Sequence, residues 1–125
     1  MEKSYDQDQV QKLIQEELRP WGKFRCYPHQ LASSLKIITI NPGGCLSLQY
    51  HNQRSEYWII LDEGLEITLA DKSWQPRPGE EIFIPAKTPH RLKSIGATPS
   101  RVMELWLGDS GEEDIVRLED IYGRV

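Results

Sequence analysis

Apolar residues along this chain change their spacing once. Between residues 4 and 18 they fall at Val10, Leu13, Ile14 and Leu18, the i, i+3, i+4, i+8 spacing of one helical face. Gln, Asp, Glu and Lys fill the opposite face, Ser4 or Asp6 is placed to cap the helix, and Pro20 is placed to stop it. Beyond Pro20 the period shortens. Lys23–Tyr27 alternates, Leu35–Ile40 is β-branched and nearly continuous, and Trp58–Leu61, Leu65–Leu69, Glu81–Ile84, His90–Lys93 and Arg101–Leu107 are further short strand-like runs. Turn signals separate them: Asn41-Pro-Gly-Gly44, Asp62-Glu-Gly64, Ala70–Ser73 and Arg77-Pro-Gly-Glu80. This rhythm predicts an all-β sandwich or closed barrel behind an N-terminal helical arm packed over it. The arm is expected at residues 1–18 and the β domain at residues 19–125. The runs 35–40 and 58–61 read as strands covered on both faces. Trp21 is expected to plug the core, and Ile115–Tyr122 to form a short helix or an irregular tail.

The polar residues that interrupt this pattern carry the chemistry. Gln49 and His51 are two apart, which puts both side chains on one face of a strand. Asn52–Ser55 read as a polar turn, and Glu56 opens a returning strand. Such a hairpin aims an amide oxygen, an imidazole and a carboxylate at one place, and His90 offers a fourth ligand. Gln49, His51, Glu56 and His90 suit a divalent metal with open positions for water or substrate: zinc foremost, with manganese, nickel, cobalt or iron also compatible. His29 lies in a polar loop and reads as solvated. Lys36, inside an otherwise apolar strand, either reaches out to a barrel edge or meets an anion. Glu104, between Met103 and Leu105, either faces solvent or lies in the barrel with a displaced pKa.

Composition narrows the rest. One core fits in 125 residues, of which 38% are hydrophobic. A net charge of −4 gives no basic footprint for nucleic acid and no polybasic membrane patch. No apolar run is long enough to span a bilayer, and the acidic, polar start is unlike a signal peptide. Cys26 and Cys45 form no framework or CxxC pair and are expected as idle thiols in a reducing cytoplasm.

The pattern Gly43-x5-Gln49-x-His51-x4-Glu56 followed by Gly79-x5-Pro85-x4-His90 resembles the two signature motifs of the cupin superfamily, with Gln49 where many cupins carry a first His. Arg19-Pro-Trp-Gly22, Leu46-Ser-Leu-Gln-Tyr-His51 with Arg54-Ser-Glu56, and the tail Glu112–Arg124 resemble the C-terminal domain of type II mannose-6-phosphate isomerases. The likeness runs from about Arg19 to the C-terminus. It implies a cupin double-stranded β-helix, a jelly-roll barrel, and the isomerase module alone, since no guanylyltransferase domain fits in this length. It implies a metal-dependent enzyme interconverting mannose 6-phosphate and fructose 6-phosphate. Arg54 and Arg91 are its candidate phosphate clamps, Lys36 a candidate for anion contact or proton transfer, and Glu104 a candidate base. A sugar phosphate or another small anion is the expected ligand, and a homodimer the expected assembly.

The departures are specific. The family usually reads Gln-x-His-His-His-Arg-x-Glu-His-Trp, whereas Asn52, Gln53 and Tyr57 stand here for three histidines. Ile37 and Asn41 replace expected basic residues, and Lys87 stands where cupins commonly have Gly. They keep open a binding module that holds metal and carbohydrate without turnover, or an enzyme with another substrate, a metal oxygenase on the same fold included.

Overall fold

A computed structural model describes residues 4–125. The helix is shorter than the apolar spacing predicts. Helix α1 spans Gln7–Leu13, capped by Asp6 in a reciprocal box: the Gln9 amide donates to Asp6 Oδ1 at 2.8 Å and the Asp6 amide to Gln9 Oε1 at 2.9 Å. It packs over the barrel as expected, with Val10 buried against Tyr57, Leu105 and Leu107. Residues 15–18 do not continue it. Strand β1 (Gln15–Arg19) pairs with β2 (Gly22–Cys26), Arg19 opposite Gly22, so the boundary expected at residues 18 and 19 falls inside a hairpin. Pro20 explains the switch. It disfavours helical geometry at Arg19, and with Gly22 at φ 146° it makes a two-residue turn that pairing then extends backwards. Leu18 and Trp21 are exposed, so neither plugs the core. Residues 1–3 of the predicted arm lie outside the described residues.

The body consists of two antiparallel sheets. One orders β3 (Ala32–Ile40), β10 (Ser100–Leu107), β5 (Ser55–Ile60) and β8 (Glu81–Ile84) side by side. The other orders β11 (Val116–Glu119), β4 (Leu48–Tyr50), β9 (His90–Ser94), β6 (Leu65–Leu69) and β7 (Lys72–Trp74). The tail predicted as helix or coil is therefore partly the edge strand β11, paired with β4. The inner faces meet in a core of Ile40, Trp58, Ile60, Leu65, Ile67, Ile82, Ile84, Leu92 and Val102. Each such side chain contributes roughly 1.5–3 kcal/mol on burial. Strand β3 is covered on one face only: Lys36, Ile38 and Ile40 are at least half-buried, whereas Leu35 and Ile37 are exposed. The continuous apolar run thus reflects an uncovered outer face rather than a strand buried twice.

Register grades the barrel interior from apolar to polar along β10. Val102 lies opposite Ile38 and Ile60, Glu104 opposite Lys36 and Trp58, and Trp106 opposite Ser34 and Glu56. Side chains directly opposite in a ladder leave the same face. The end of the barrel at Glu56 and Trp106 therefore collects the charged groups.

Lys87 sits at φ 63°, in the left-handed region where an L side chain crowds its carbonyl, and its amide donates to the His51 carbonyl at 2.7 Å. This is the position where the sequence departs from a glycine. Lys87→Gly is expected to stabilise the fold by about 0.5–1 kcal/mol after the glycine's own entropy cost. Differential scanning calorimetry should show a higher Tm; a lower one would mean that the lysine side chain contributes more than its backbone costs.

Candidate functional site

His51, Glu56 and His90 converge, fully buried, with their ligand atoms within 4.8 Å of one another. The fold explains the convergence. His51 directly follows β4, Glu56 enters β5, and His90 begins β9, where it pairs in register with Gln49. Gln49 and His90 therefore leave the sheet on the same face. The amide oxygen of Gln49 accepts from Ser47 Oγ at 2.5 Å.

Hydrogen bonds fix both imidazoles in one tautomer. His51 Nδ1–H donates to the Asp114 carbonyl at 2.6 Å and His90 Nδ1–H to the Thr88 carbonyl at 2.9 Å. Each ring then presents an unprotonated Nε2, the arrangement that outer hydrogen bonds give metal-ligating histidines; that of His51 is approached by Arg54 Nη2 at 3.3 Å. Burial lowers the pKa of His51 and of His90, against the raising effect of Glu56, so the neutral, ligating form prevails. His51 Nε2 faces Glu56 Oε2 at 3.2 Å, and His90 Nε2 is buried without a hydrogen-bond partner. Arg54 contacts both His51 Nε2 and Glu56 Oε2, whereas the lone pair of His90 Nε2, 4.0 Å from Glu56 Oε1, is left for a cation to satisfy. The donor set, two imidazoles and a carboxylate, fits a divalent metal.

Glu56 is held on both oxygens. Trp58 Nε1 donates to Oε1 at 2.8 Å, and Arg54 Nε donates to Oε2 at 2.7 Å. Arg54 is itself buried. Its guanidinium lies 3.4 Å from the Trp106 ring centroid, donates to Ser110 Oγ at 3.0 Å and the Gly111 carbonyl at 3.2 Å, and reaches His51 Nε2 at 3.3 Å. Here Arg54 positions Glu56 and stacks on Trp106. Glu104 lies in the interior, not in solvent. It accepts from Trp106 Nε1 at 2.5 Å, and its carboxyl is pushed up to about 7, first by burial and then by the negative charge of Glu56. Lys36 shares its face; its Nζ sits 4.1 Å from the Trp106 ring centroid and 3.1 Å from Glu112 Oε1. Arg91 points away from His90, its Nε donating to the Leu46 carbonyl at 3.1 Å. His29 is exposed, as expected, and both cysteines are free.

Two residues of this end escaped the sequence reading. The expected hairpin does not form, because β4 and β5 lie in different sheets; Asp114 instead fixes the crossing between them, its carboxylate accepting the amides of Asn52 at 2.8 Å and Gln53 at 2.9 Å while its carbonyl orients His51. Arg117 lies opposite Gln49, which lies opposite His90, so its side chain leaves β11 on the ligand face. Its Nε is buried and unpaired, and the side chain has no ion pair or hydrogen bond among the described residues. Alternation through Ile115-Val-Arg-Leu-Glu was the available signal, and reading the segment as helical concealed it.

The departures leave the ligand side chains themselves unchanged. Tyr57 is on the outer face, donating to Glu81 Oε1 at 2.7 Å; Ile37 is exposed on β3; Asn52, Gln53 and Asn41 are exposed.

A two-sheet antiparallel barrel with a His–Glu–His group at one end defines a cupin. Solved structures agree on the fold: the capsular polysaccharide assembling protein CapF from Staphylococcus aureus matches with a TM-score of 0.62 at 14% identity, over 86% of this chain and 34% of that one. The chain belongs to the mannose-6-phosphate isomerase C-terminal family, which it matches over residues 6–120. It is 38% identical over 110 residues to the alginate biosynthesis protein AlgA of Pseudomonas aeruginosa, covering 87% of this chain and 23% of that protein. It is 35% identical over 114 residues to a mannose-1-phosphate guanylyltransferase of Klebsiella pneumoniae, covering 90% of this chain and 24% of that protein. The chain thus spans about a quarter of the length of these curated relatives. No helix among the described residues is long and apolar enough to cross a membrane.

Proposed function

We propose that this chain is a metal-dependent sugar-phosphate isomerase interconverting mannose 6-phosphate and fructose 6-phosphate, with His51, Glu56 and His90 holding the ion and Gln49 completing the set. The observation that carries this reading is the buried carboxyl of Glu104, opposite Lys36 and Trp58 on the inward face and held by Trp106 Nε1, where burial and the charge of Glu56 raise its pKa to about 7. Aldose–ketose interconversion needs one group that takes a proton from one carbon and returns it to its neighbour. A pKa near the working pH serves both directions. A divalent ion bound there polarises the sugar oxygens and stabilises the developing negative charge.

Glu104 would take and return the proton, with Trp106 Nε1 fixing its orientation. Lys36, on the same face, would meet the substrate's oxygens after leaving the exposed Glu112. Arg54 would keep Glu56 aimed. Arg117, without a counter-charge, would clamp the phosphate. Arg suits that role because its planar fork matches phosphate oxygens, and a clamp remote from the reacting carbons supplies orientation.

The test is a coupled assay for fructose 6-phosphate with the purified chain loaded in turn with each candidate metal. Turnover is expected, and Arg117→Ala should raise KM by about ten- to a hundredfold, the roughly 1.5–3 kcal/mol of a hydrogen bond to a charged group. Sugar-phosphate binding with every metal but no turnover would reject the isomerase and leave a binding module. An unchanged KM would remove Arg117 from the phosphate site.

A further inference from the structure

Lys36 is paired in a way that its place in the ladder does not predict. It lies directly opposite Glu104 on the inward face, where facing side chains of opposite charge ordinarily meet. Its ion pair among the described residues is instead with Glu112, on the loop between β10 and β11, Nζ to Oε1 at 3.1 Å. The Lys36 side chain is 32% exposed and that of Glu112 82%. A carboxylate thus comes in from solvent and rests on an ammonium that belongs to the interior. That ammonium shares the Trp106 ring with Arg54, while Glu104 accepts from the ring nitrogen.

The loop presents Glu112 without burying it. Ser110 and the Gly111 carbonyl accept from Arg54, and Asp114 is bonded to Asn52, Gln53 and His51. Between these anchors the Asp114 amide donates to the Gly111 carbonyl at 3.1 Å, closing a turn with Glu112 and Glu113 at its centre. The Glu113 carboxylate turns back over Gly111, and only Glu112 reaches Lys36. Because the turn is fixed on both sides, the Glu112 carboxylate can leave Lys36 by rotating about its own side-chain bonds. An ion pair this exposed is weak. The contrast is with Arg54 and Glu56, at 5% and 1% exposure, a pair that no ligand can part.

We propose that Glu112 is a tethered stand-in for an anionic ligand: its carboxylate occupies, on Lys36, the place that an oxygen of an incoming sugar phosphate takes, and the ligand binds by displacing it. Glu112 is the one acid of this group that enters from solvent. Glu56 is held by Arg54 and Trp58, and Glu104 by Trp106. Until the ligand arrives, Glu112 also keeps Lys36 from closing on Glu104. The inference rests on the proposed site in one respect, that Lys36 meets the ligand's oxygens; it does not need turnover.

Calorimetric titration of the metal-loaded chain with mannose 6-phosphate should show Glu112→Gln binding about two- to fivefold more tightly than wild type, the range of a partly exposed ion pair. Glu113→Gln removes the same charge from the same turn and should leave the affinity nearly unchanged. In a Lys36→Met background Glu112→Gln should have no effect, because there is no ammonium left to compete for. A second measurement needs no substrate. Brief labelling with acetic anhydride, read by mass spectrometry, should modify Lys36 faster in Glu112→Gln than in wild type. Unchanged or weaker binding by Glu112→Gln, an equal gain from Glu113→Gln, or a Lys36 labelling rate indifferent to Glu112 would each overturn the proposal. Tighter binding by Glu112→Gln with no fructose 6-phosphate formed would reject the isomerase and leave the stand-in in place.

Discussion

Glu56→Ala is expected to cost the fold about 3–5 kcal/mol, because it leaves the Arg54 guanidinium buried without its counter-charge. At roughly 4 °C per kcal/mol for a chain of this size, the Tm should fall by about 12–20 °C. The measurement belongs in a chelating buffer, so that lost metal does not add to the lost ion pair. The Arg54→Met, Glu56→Ala double variant identifies the cause. If the stranded charge dominates, removing it should recover a large part of the loss, as a double-mutant cycle reads directly. A double variant whose loss is the sum of the two single losses would show that Arg54 and Glu56 contribute independently.

The second large effect concerns the ion itself. His51→Ala should bring bound metal from near one equivalent per chain to near none in elemental analysis, with the strand signal in circular dichroism retained. The affinity loss should exceed the ten- to hundredfold, about 1.4–2.7 kcal/mol, seen when only the outer partners of a ligand are removed. His29→Ala is the internal control. That ring is exposed and its hydrogen bond among the described residues is to the carbonyl of Tyr27, at 3.1 Å, so its loss should leave the metal content unchanged. Wild-type protein that retains no metal after dialysis against each candidate ion would remove the basis of the proposed chemistry.

Much of this end of the molecule could be read before any coordinates. Period-two spacing on β4 and β5 placed His51 and Glu56 correctly because strand alternation is a local property. Asn52–Ser55 read as a hairpin turn, but the strands they join lie in different sheets, which no local window reveals. The second motif brought His90 because its strand, like theirs, has a fixed inward parity. Failures came where pairing overrode local preference. Gln15-Glu-Glu-Leu favours helix, but Pro20 and Gly22 make a turn tight enough to fold it onto Lys23–Cys26. Ile37 and Leu35 read as core because apolarity does not distinguish a residue facing the interior from one facing an uncovered surface. Arg117 was invisible because its position depends on β11 pairing with β4, a contact between residues 49 and 117 that no local window contains.

The segment between β10 and β11 works as a ruler. Ser110 and Gly111 grip Arg54, and three residues later Asp114 grips both the β4–β5 connection and His51. Adding or deleting one residue between those grips would slide the Asp114 carbonyl off Nδ1 and release the ring to the other tautomer. Chains that share this chemistry should therefore hardly vary at all in the length of that span.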